Sequence, residues 1–74
     1  MSLTYTLRVS DTPVYTGTFD DADDLSADAI SRASTHGVVM IKAAELADLI
    51  SPDTASTVDL RLLSPQITVE VTPA

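Results

Sequence analysis

In the stretch LTYTLRVSDTPVYTGTF, residues 3–19, apolar and polar residues alternate before a turn-forming segment, SDTP at residues 10–13, and β-branched and aromatic residues follow it. A period of two places successive side chains on opposite faces of a strand, so the first segment predicts a half-buried strand, and the composition of the second predicts another strand. Aspartate and proline favour turns, and we therefore expect a hairpin with a four-residue loop. Gly17, inside the second strand, indicates a bulge or a close backbone approach.

Residues 21–35 predict an amphipathic helix with an acidic exposed side. At about 100° per residue, the apolar residues fall in one sector of the helix and the aspartates fall outside it. The apolar sector contains Ala22, Leu25, Ala29 and Ala33, with Ile30 at its edge; the aspartates are Asp21, Asp23, Asp24 and Asp28, preceded by Asp20. We expect this helix to pack by its apolar side and to leave its carboxylates in water.

Local interactions account for most of this acidic cluster. Asp20 or Asp21 is suited to cap the helix N-terminus, and further acids in the first turn complement the helix dipole. Asp28 can pair with Arg32 one turn later. The His-Gly pair at residues 36–37 places a cation and then a glycine stop near the predicted C-terminus.

Residues 38–50, VVMIKAAELADLI, favour a strand followed by a helix. The apolar run at residues 38–41 predicts the strand, and the helix follows from apolar residues spaced i, i+3, i+4 and i+7. Those residues are Ala43, Leu46, Ala47 and Ile50. Pro52 then ends the helix. One longer helix over residues 38–50 is the alternative, because a short apolar run does not distinguish strand from helix.

The C-terminal part predicts a closing hairpin. Two alternating segments, residues 58–62 and 67–71, follow a loop at residues 51–57. The predicted order is ββαβαββ over a single small domain, residues 1–74. We therefore expect an α+β fold, a two-layer sandwich with a mainly antiparallel sheet of four to five strands and two short helices on one face. The threonine-rich strand faces would then point outward.

The acidic segment does not fit a calcium-binding loop. An EF-hand needs acids at positions 1, 3 and 5, a glycine at position 6 and a glutamate at position 12. Counting from Asp21, positions 5, 6 and 12 are Leu25, Ser26 and Arg32, and counting from Asp20 fails as well. A solvated helix start is the simpler interpretation of these carboxylates.

No other segment points to chemistry. The chain has no cysteine and a single histidine, His36, so it cannot build a cysteine-based zinc site. Its glycines, Gly17 and Gly37, form no phosphate-binding loop. The three aromatic residues are expected to pack in or beside the core. We therefore predict no catalytic residue, no cofactor and no metal ligand, and a protein that is not an enzyme.

Charge and hydropathy narrow the classes of partner. A net charge of −7 with only four Lys and Arg residues argues against direct binding of nucleic acid, which requires clustered cations. No apolar run approaches the roughly 18 residues that span a membrane. The N-terminal residues lack the order of a signal peptide, so a cytoplasmic location is expected.

These observations favour a small acidic interaction or structural module that acts through a protein partner, including self-association as a homodimer. The C-terminal strand, residues 66–72, carries no lysine or internal proline, and we expect it to be a sheet edge that pairs with a second copy. The candidate interaction surface comprises Asp20, Asp21, Asp23, Asp24, Asp28, Val69 and Val71. The alternative is an acidic decoy or inhibitor of a basic, nucleic-acid-binding protein, as in phage or defence-related small proteins.

Overall fold

The computed structural model describes residues 2–73 and has an α+β fold. The elements are β1 (Leu3–Val9), β2 (Thr12–Phe19), α1 (Ala22–Ala33), α2 (Ala43–Leu49), β3 (Ser56–Arg61) and β4 (Ile67–Pro73). The four strands form one antiparallel sheet in the order β2-β1-β4-β3. Both helices pack against one face of this sheet, as the sequence predicts for a two-layer sandwich. No helix within residues 2–73 has the length and apolar character needed to cross a membrane.

The first hairpin forms as predicted, but its loop is shorter. β1 ends at Val9 and β2 begins at Thr12, so only Ser10 and Asp11 lie in the turn. Both have positive φ values, 51° and 66°, as a type I′ turn requires. The expected four-residue loop was wrong because Pro13 lies within β2, which is an edge strand and tolerates a residue without an N–H group.

Gly17 and the β2 irregularity occupy different positions. The β1–β2 register shifts between Leu7 and Arg8, which leaves Val14 as an extra residue in β2. At Gly17 a Cβ atom would lie 2.9 Å from a ring carbon of Tyr15. The prediction of a bulge or a close backbone approach at Gly17 was therefore wrong, because the rings of Tyr15 and Phe19 occupy the space beside this glycine.

The core lies between the helices and the inner face of the sheet. Alternate residues of β1 and β4 face it, together with the predicted apolar side of α1 and residues from α2 and β3. The buried apolar residues are Leu3, Tyr5, Leu7, Leu25, Ala29, Ala33, Leu46, Ile50, Leu60, Ile67, Val69 and Val71. Because alternate strand positions are buried, the strands show a period of two in the sequence and could be predicted from it.

The strand predicted at residues 38–41 does not form, and the order of elements is ββααββ. The segment runs beside β3, with the Met40 N–H donating to the Leu60 carbonyl at 2.8 Å. Val39 and Ile41 pack against the core, which explains why the run resembled a buried strand. This one backbone bond does not make a ladder, so the segment is an irregular connection between the helices.

The prediction that the C-terminal strand is an edge was also wrong. β4 pairs with β1 on one side and with β3 on the other, so both of its edges are hydrogen-bonded. Val69 and Val71 have no exposed surface. They belong to the core and cannot form an interaction surface, and the two edges of the sheet are β2 and β3.

Candidate functional site

The predicted acidic residues cap and flank the start of α1. Asp21 is the N-cap, and its side chain accepts a hydrogen bond from the Asp24 N–H at 2.8 Å. Asp23 and Asp24 lie in the first turn, where their charges complement the helix dipole. Asp20, Asp21, Asp23 and Asp24 are all exposed. The cap was one of the two residues that the sequence had indicated.

Asp28 has a different environment from the other aspartates. It accepts hydrogen bonds from the Tyr5 hydroxyl and from Arg32 Nε, the latter at 2.9 Å. The pairing with Arg32 was predicted, whereas the bond from Tyr5 was not. The five aspartates therefore do not form one surface: four lie at the helix start, and Asp28 links α1 to β1.

Aromatic rings surround this link. The Arg32 guanidinium lies 3.6 Å from the centre of the Tyr15 ring, a cation–π contact. The Tyr5 ring centre lies 5.7 Å from that of Tyr15 and 6.0 Å from that of Phe19. Phe19 and Tyr15 both belong to β2, so the cluster fixes α1 over the β1–β2 hairpin.

The protonation states of this cluster suit a structural role. Burial, and then the hydrogen bond to Asp28, raise the pKa of Tyr5 well above its usual value. The Tyr5 hydrogen bond, and then Arg32, lower the pKa of Asp28, while Asp28 raises that of Arg32. A general acid or base at neutral pH needs a pKa near 7, and each of these shifts moves away from it. The cluster is a fixed link with a neutral phenol, a carboxylate and a cation.

The described part of the chain offers few features that could hold a metal ion or a small ligand. Within residues 2–73 no three His, Asp or Glu side chains converge on a point that could hold a metal ion. A cavity of about 290 Å³ lies beside the start of α1. Its lining is Leu3, Ala22, Ile50 and Pro52, with Asp20 and Asp21. The described residues of this lining offer apolar contacts and two carboxylates, and none of them is a serine, cysteine, lysine or histidine.

Arg61 joins the two connections at the end of β3. Its Nε donates to the Pro65 carbonyl at 3.2 Å, and its two terminal nitrogens donate to the carbonyls of Val38 and Ser64, at 3.1 and 3.2 Å. At Gly37, a Cβ atom would lie 2.9 Å from Arg61 Nε. Glycine at this position therefore leaves room for the side chain that connects residues 37–42 to residues 62–66.

Four large apolar side chains are exposed on these two connections, and we name them the loop surface. Val38 is 75% exposed, Met40 57%, Leu62 68% and Leu63 60%. This surface was not predicted from the sequence, because residues 38–41 were expected to form a strand and Leu62 was expected to end the alternating strand at residues 58–62. The signal available was the Leu62-Leu63 pair, which breaks the period of two directly before a Ser-Pro turn.

No protein-family model, no curated protein and no solved structure matches this chain. Its function therefore has to be inferred from its own surfaces. Among these surfaces, the loop surface carries four exposed apolar side chains on two connections that Arg61 joins, and the start of α1 carries exposed carboxylates.

Proposed function

We propose that this chain is a small acidic interaction module that binds a protein partner through the loop surface. The observation that supports the proposal is the exposure of Val38, Met40, Leu62 and Leu63 on two adjacent connections. Scattered exposed apolar residues are common, but clustered ones favour a site of protein association. The proposed place of action is the cytoplasm, and neither a cofactor nor direct contact with nucleic acid is part of the proposal.

Arg61 prepares the loop surface for binding. Its three hydrogen bonds to backbone carbonyls join the connections that carry the four apolar residues. A loop that is already ordered loses less conformational entropy when it binds, which leaves more of the contact energy for affinity. The matching partner surface is apolar, such as a groove or the apolar side of a helix, and its binding is expected to depend weakly on salt.

The second candidate function is the acidic decoy, and the exposed start of α1 supports it. The two ion pairs among the described residues are Arg8–Glu70 and Arg32–Asp28, so the carboxylates at the helix start have no cation within 4.0 Å in that part of the chain. Such a surface would attract a basic protein, and salt would weaken the attraction strongly. Salt dependence therefore separates the two candidate functions.

The test is a capture experiment with a matched control. Immobilised wild-type protein is incubated with a lysate of its own organism at low and at high salt, beside a Leu62→Ser/Leu63→Ser variant. Leu49→Ser is the control, because Leu49 is 57% exposed and lies on α2, not on the two connections that carry the loop surface. Burying two leucines contributes about 1.5–3 kcal/mol each, so the double variant should bind roughly 100-fold or more weakly.

The proposal predicts a partner that the wild type and Leu49→Ser retain at both salt concentrations and that the double variant loses. A partner retained equally by the double variant contradicts it. A partner released by salt, and lost from an Asp23→Asn/Asp24→Asn variant, supports the acidic decoy in its place.

A further inference from the structure

β2 is an edge strand without a charged residue. Its eight residues, Thr12–Phe19, read TPVYTGTF. The opposite edge, β3, contains Asp59 and Arg61, and the Met40 N–H already bonds to its Leu60 carbonyl. Charged residues and covering segments are the usual protection of a sheet edge. β2 has only Pro13 and the irregularity at Val14, both near its start, which leave the part from Tyr15 to Phe19 open to pairing.

The backbone groups that point away from the sheet on β2 belong to Thr16 and Thr18. A two-residue turn closes with a bond between its flanking residues, so Val9 directs its backbone groups towards β2. This direction alternates along an antiparallel strand, so Leu7, Tyr5 and Leu3 also point to β2. Their partners on β2 are Tyr15, Gly17 and Phe19. The intervening residues, Thr16 and Thr18, therefore present free N–H and C=O groups at the edge.

The open part of β2 is symmetric about its centre. The residues YTGTF read, in both directions from Gly17, as a threonine and then an aromatic ring. Tyr15 and Phe19 lie half-buried on the helix side, and Thr16 and Thr18 lie exposed on the other side. A strand with this symmetry is complementary to an antiparallel copy of itself, as a two-fold interface requires.

We propose that two copies of the chain pair β2 with β2 in antiparallel orientation, on a two-fold axis that passes through Gly17. Thr16 of each copy then pairs with Thr18 of the other and exchanges backbone hydrogen bonds with it. Tyr15 of each copy lies opposite Phe19 of the other, so the half-buried rings form cross-strand aromatic pairs. The two four-stranded sheets become one sheet of eight strands.

The charges of the chain permit this interface although each copy carries −7. The nearest acid in the sequence, Asp20, lies three residues from the axis, so its two copies are about 20 Å apart at 3.4 Å per residue. This separation exceeds the Debye length of about 10 Å at 0.1 M salt. The α1 side chain that contacts Tyr15 is Arg32, and its charge is compensated by Asp28.

The dimer would give the module two binding sites. The loop surface lies beside β3, at the opposite edge of the sheet from β2. Pairing through β2 therefore leaves the two loop surfaces at the two ends of the extended sheet. Two sites on one particle raise avidity for a partner that is itself repeated or multimeric. The dimer itself does not depend on whether the loop surface binds a partner.

Sedimentation of the purified protein tests the interface. The wild type is expected to be a dimer, and a Thr16→Lys/Thr18→Lys variant a monomer, because edge lysines oppose strand pairing. A Thr16→Glu/Thr18→Glu variant should also be monomeric, and mixing the two variants should restore a dimer. The control, Thr57→Lys/Thr72→Lys, places two lysines on β3 and β4 and should leave the dimer intact. Circular dichroism confirms the fold of each variant.

Cysteine cross-linking tests the position of the axis. The chain has no cysteine of its own. Hydrogen-bonded antiparallel pairs have Cα atoms about 5.5 Å apart, within the range that a disulfide bridges. A mixture of Thr16→Cys and Thr18→Cys proteins should therefore oxidise to a covalent dimer containing one of each, and either protein alone should not. A monomeric wild type, a dimer that persists in both charged variants, or equal cross-linking of either variant with itself would each overturn the proposal.

Discussion

Ser26 is a buried polar residue on α1 whose hydroxyl oxygen has no hydrogen-bond partner among residues 2–73. A serine inside a helix can bond to the carbonyl four residues earlier, but this one does not. Burying an unpaired hydroxyl costs about 1–3 kcal/mol. The residue therefore weakens the packing of the helix that carries the acidic cluster.

Replacing Ser26 with alanine is expected to raise the free energy of unfolding by about 1 kcal/mol, because it removes the unpaired hydroxyl and keeps the helix. In a domain of this size that change corresponds to a rise in Tm of about 4–8 °C. Ser31→Ala is the control, since Ser31 is exposed on the same helix and reports helix propensity alone, worth at most about 0.5 kcal/mol. Thermal unfolding measures both. An equal gain in the two variants would show that the Ser26 hydroxyl is satisfied.

Of the hydrogen bonds that Tyr5 and Arg32 donate to Asp28, only the one from Arg32 was predictable from the sequence. The pair with Arg32 was predictable, because residues four apart on a helix are neighbours. The bond from Tyr5 joins residues 23 apart in the chain and exists only because α1 packs over β1. Sequence spacing carries no information on such a contact, and the aromatic cluster was predicted only as part of the core.

The start of α1 provides a direct test of helix capping. Asp21→Ala is expected to lower the free energy of unfolding by about 0.5–2 kcal/mol, because its carboxylate accepts the Asp24 N–H, which has no partner within the helix. Asp20→Ala is the matched control, since Asp20 is adjacent, exposed and equally charged. Urea unfolding compares the two. A larger loss in Asp20→Ala would place the cap one residue earlier.

The elements that the sequence predicted correctly are those with a clear period. β1, β2, α1 and the closing hairpin each combine regular burial with local turn or cap signals. The segment at residues 38–41 was predicted as a strand because its apolar run does contact the core, although it has no ladder. The position of β4 inside the sheet depends on pairing with β1, more than 50 residues away, which no local pattern encodes. For that reason the interaction surfaces that we propose lie on the loops and on β2, and not on β4.

The carboxylates of the chain affect its stability in two opposite ways. The net charge of −7 opposes compaction at neutral pH, while Asp28 contributes stability through Tyr5 and Arg32. Because the pKa of Asp28 is lowered by folding, the unfolded chain takes up that proton first as the pH falls. The contribution of Asp28 is therefore complete above the pKa of an unfolded aspartate, about 3.9, and is lost as the pH falls through the folded value.

We therefore expect the difference in the free energy of unfolding between the wild type and Asp28→Asn to depend on pH. The wild type should be more stable at neutral pH, and the difference should narrow below about pH 4, where the unfolded carboxyl becomes protonated. Urea unfolding at a series of pH values measures the difference. The free energy of unfolding of Tyr5→Phe should fall less steeply in acid than that of the wild type. The reason is that the Tyr5 hydroxyl is the largest cause of the lowered pKa of Asp28. A difference that stays constant down to pH 2 would mean that folding does not shift the pKa of Asp28, and the link between α1 and β1 would then rest on packing alone.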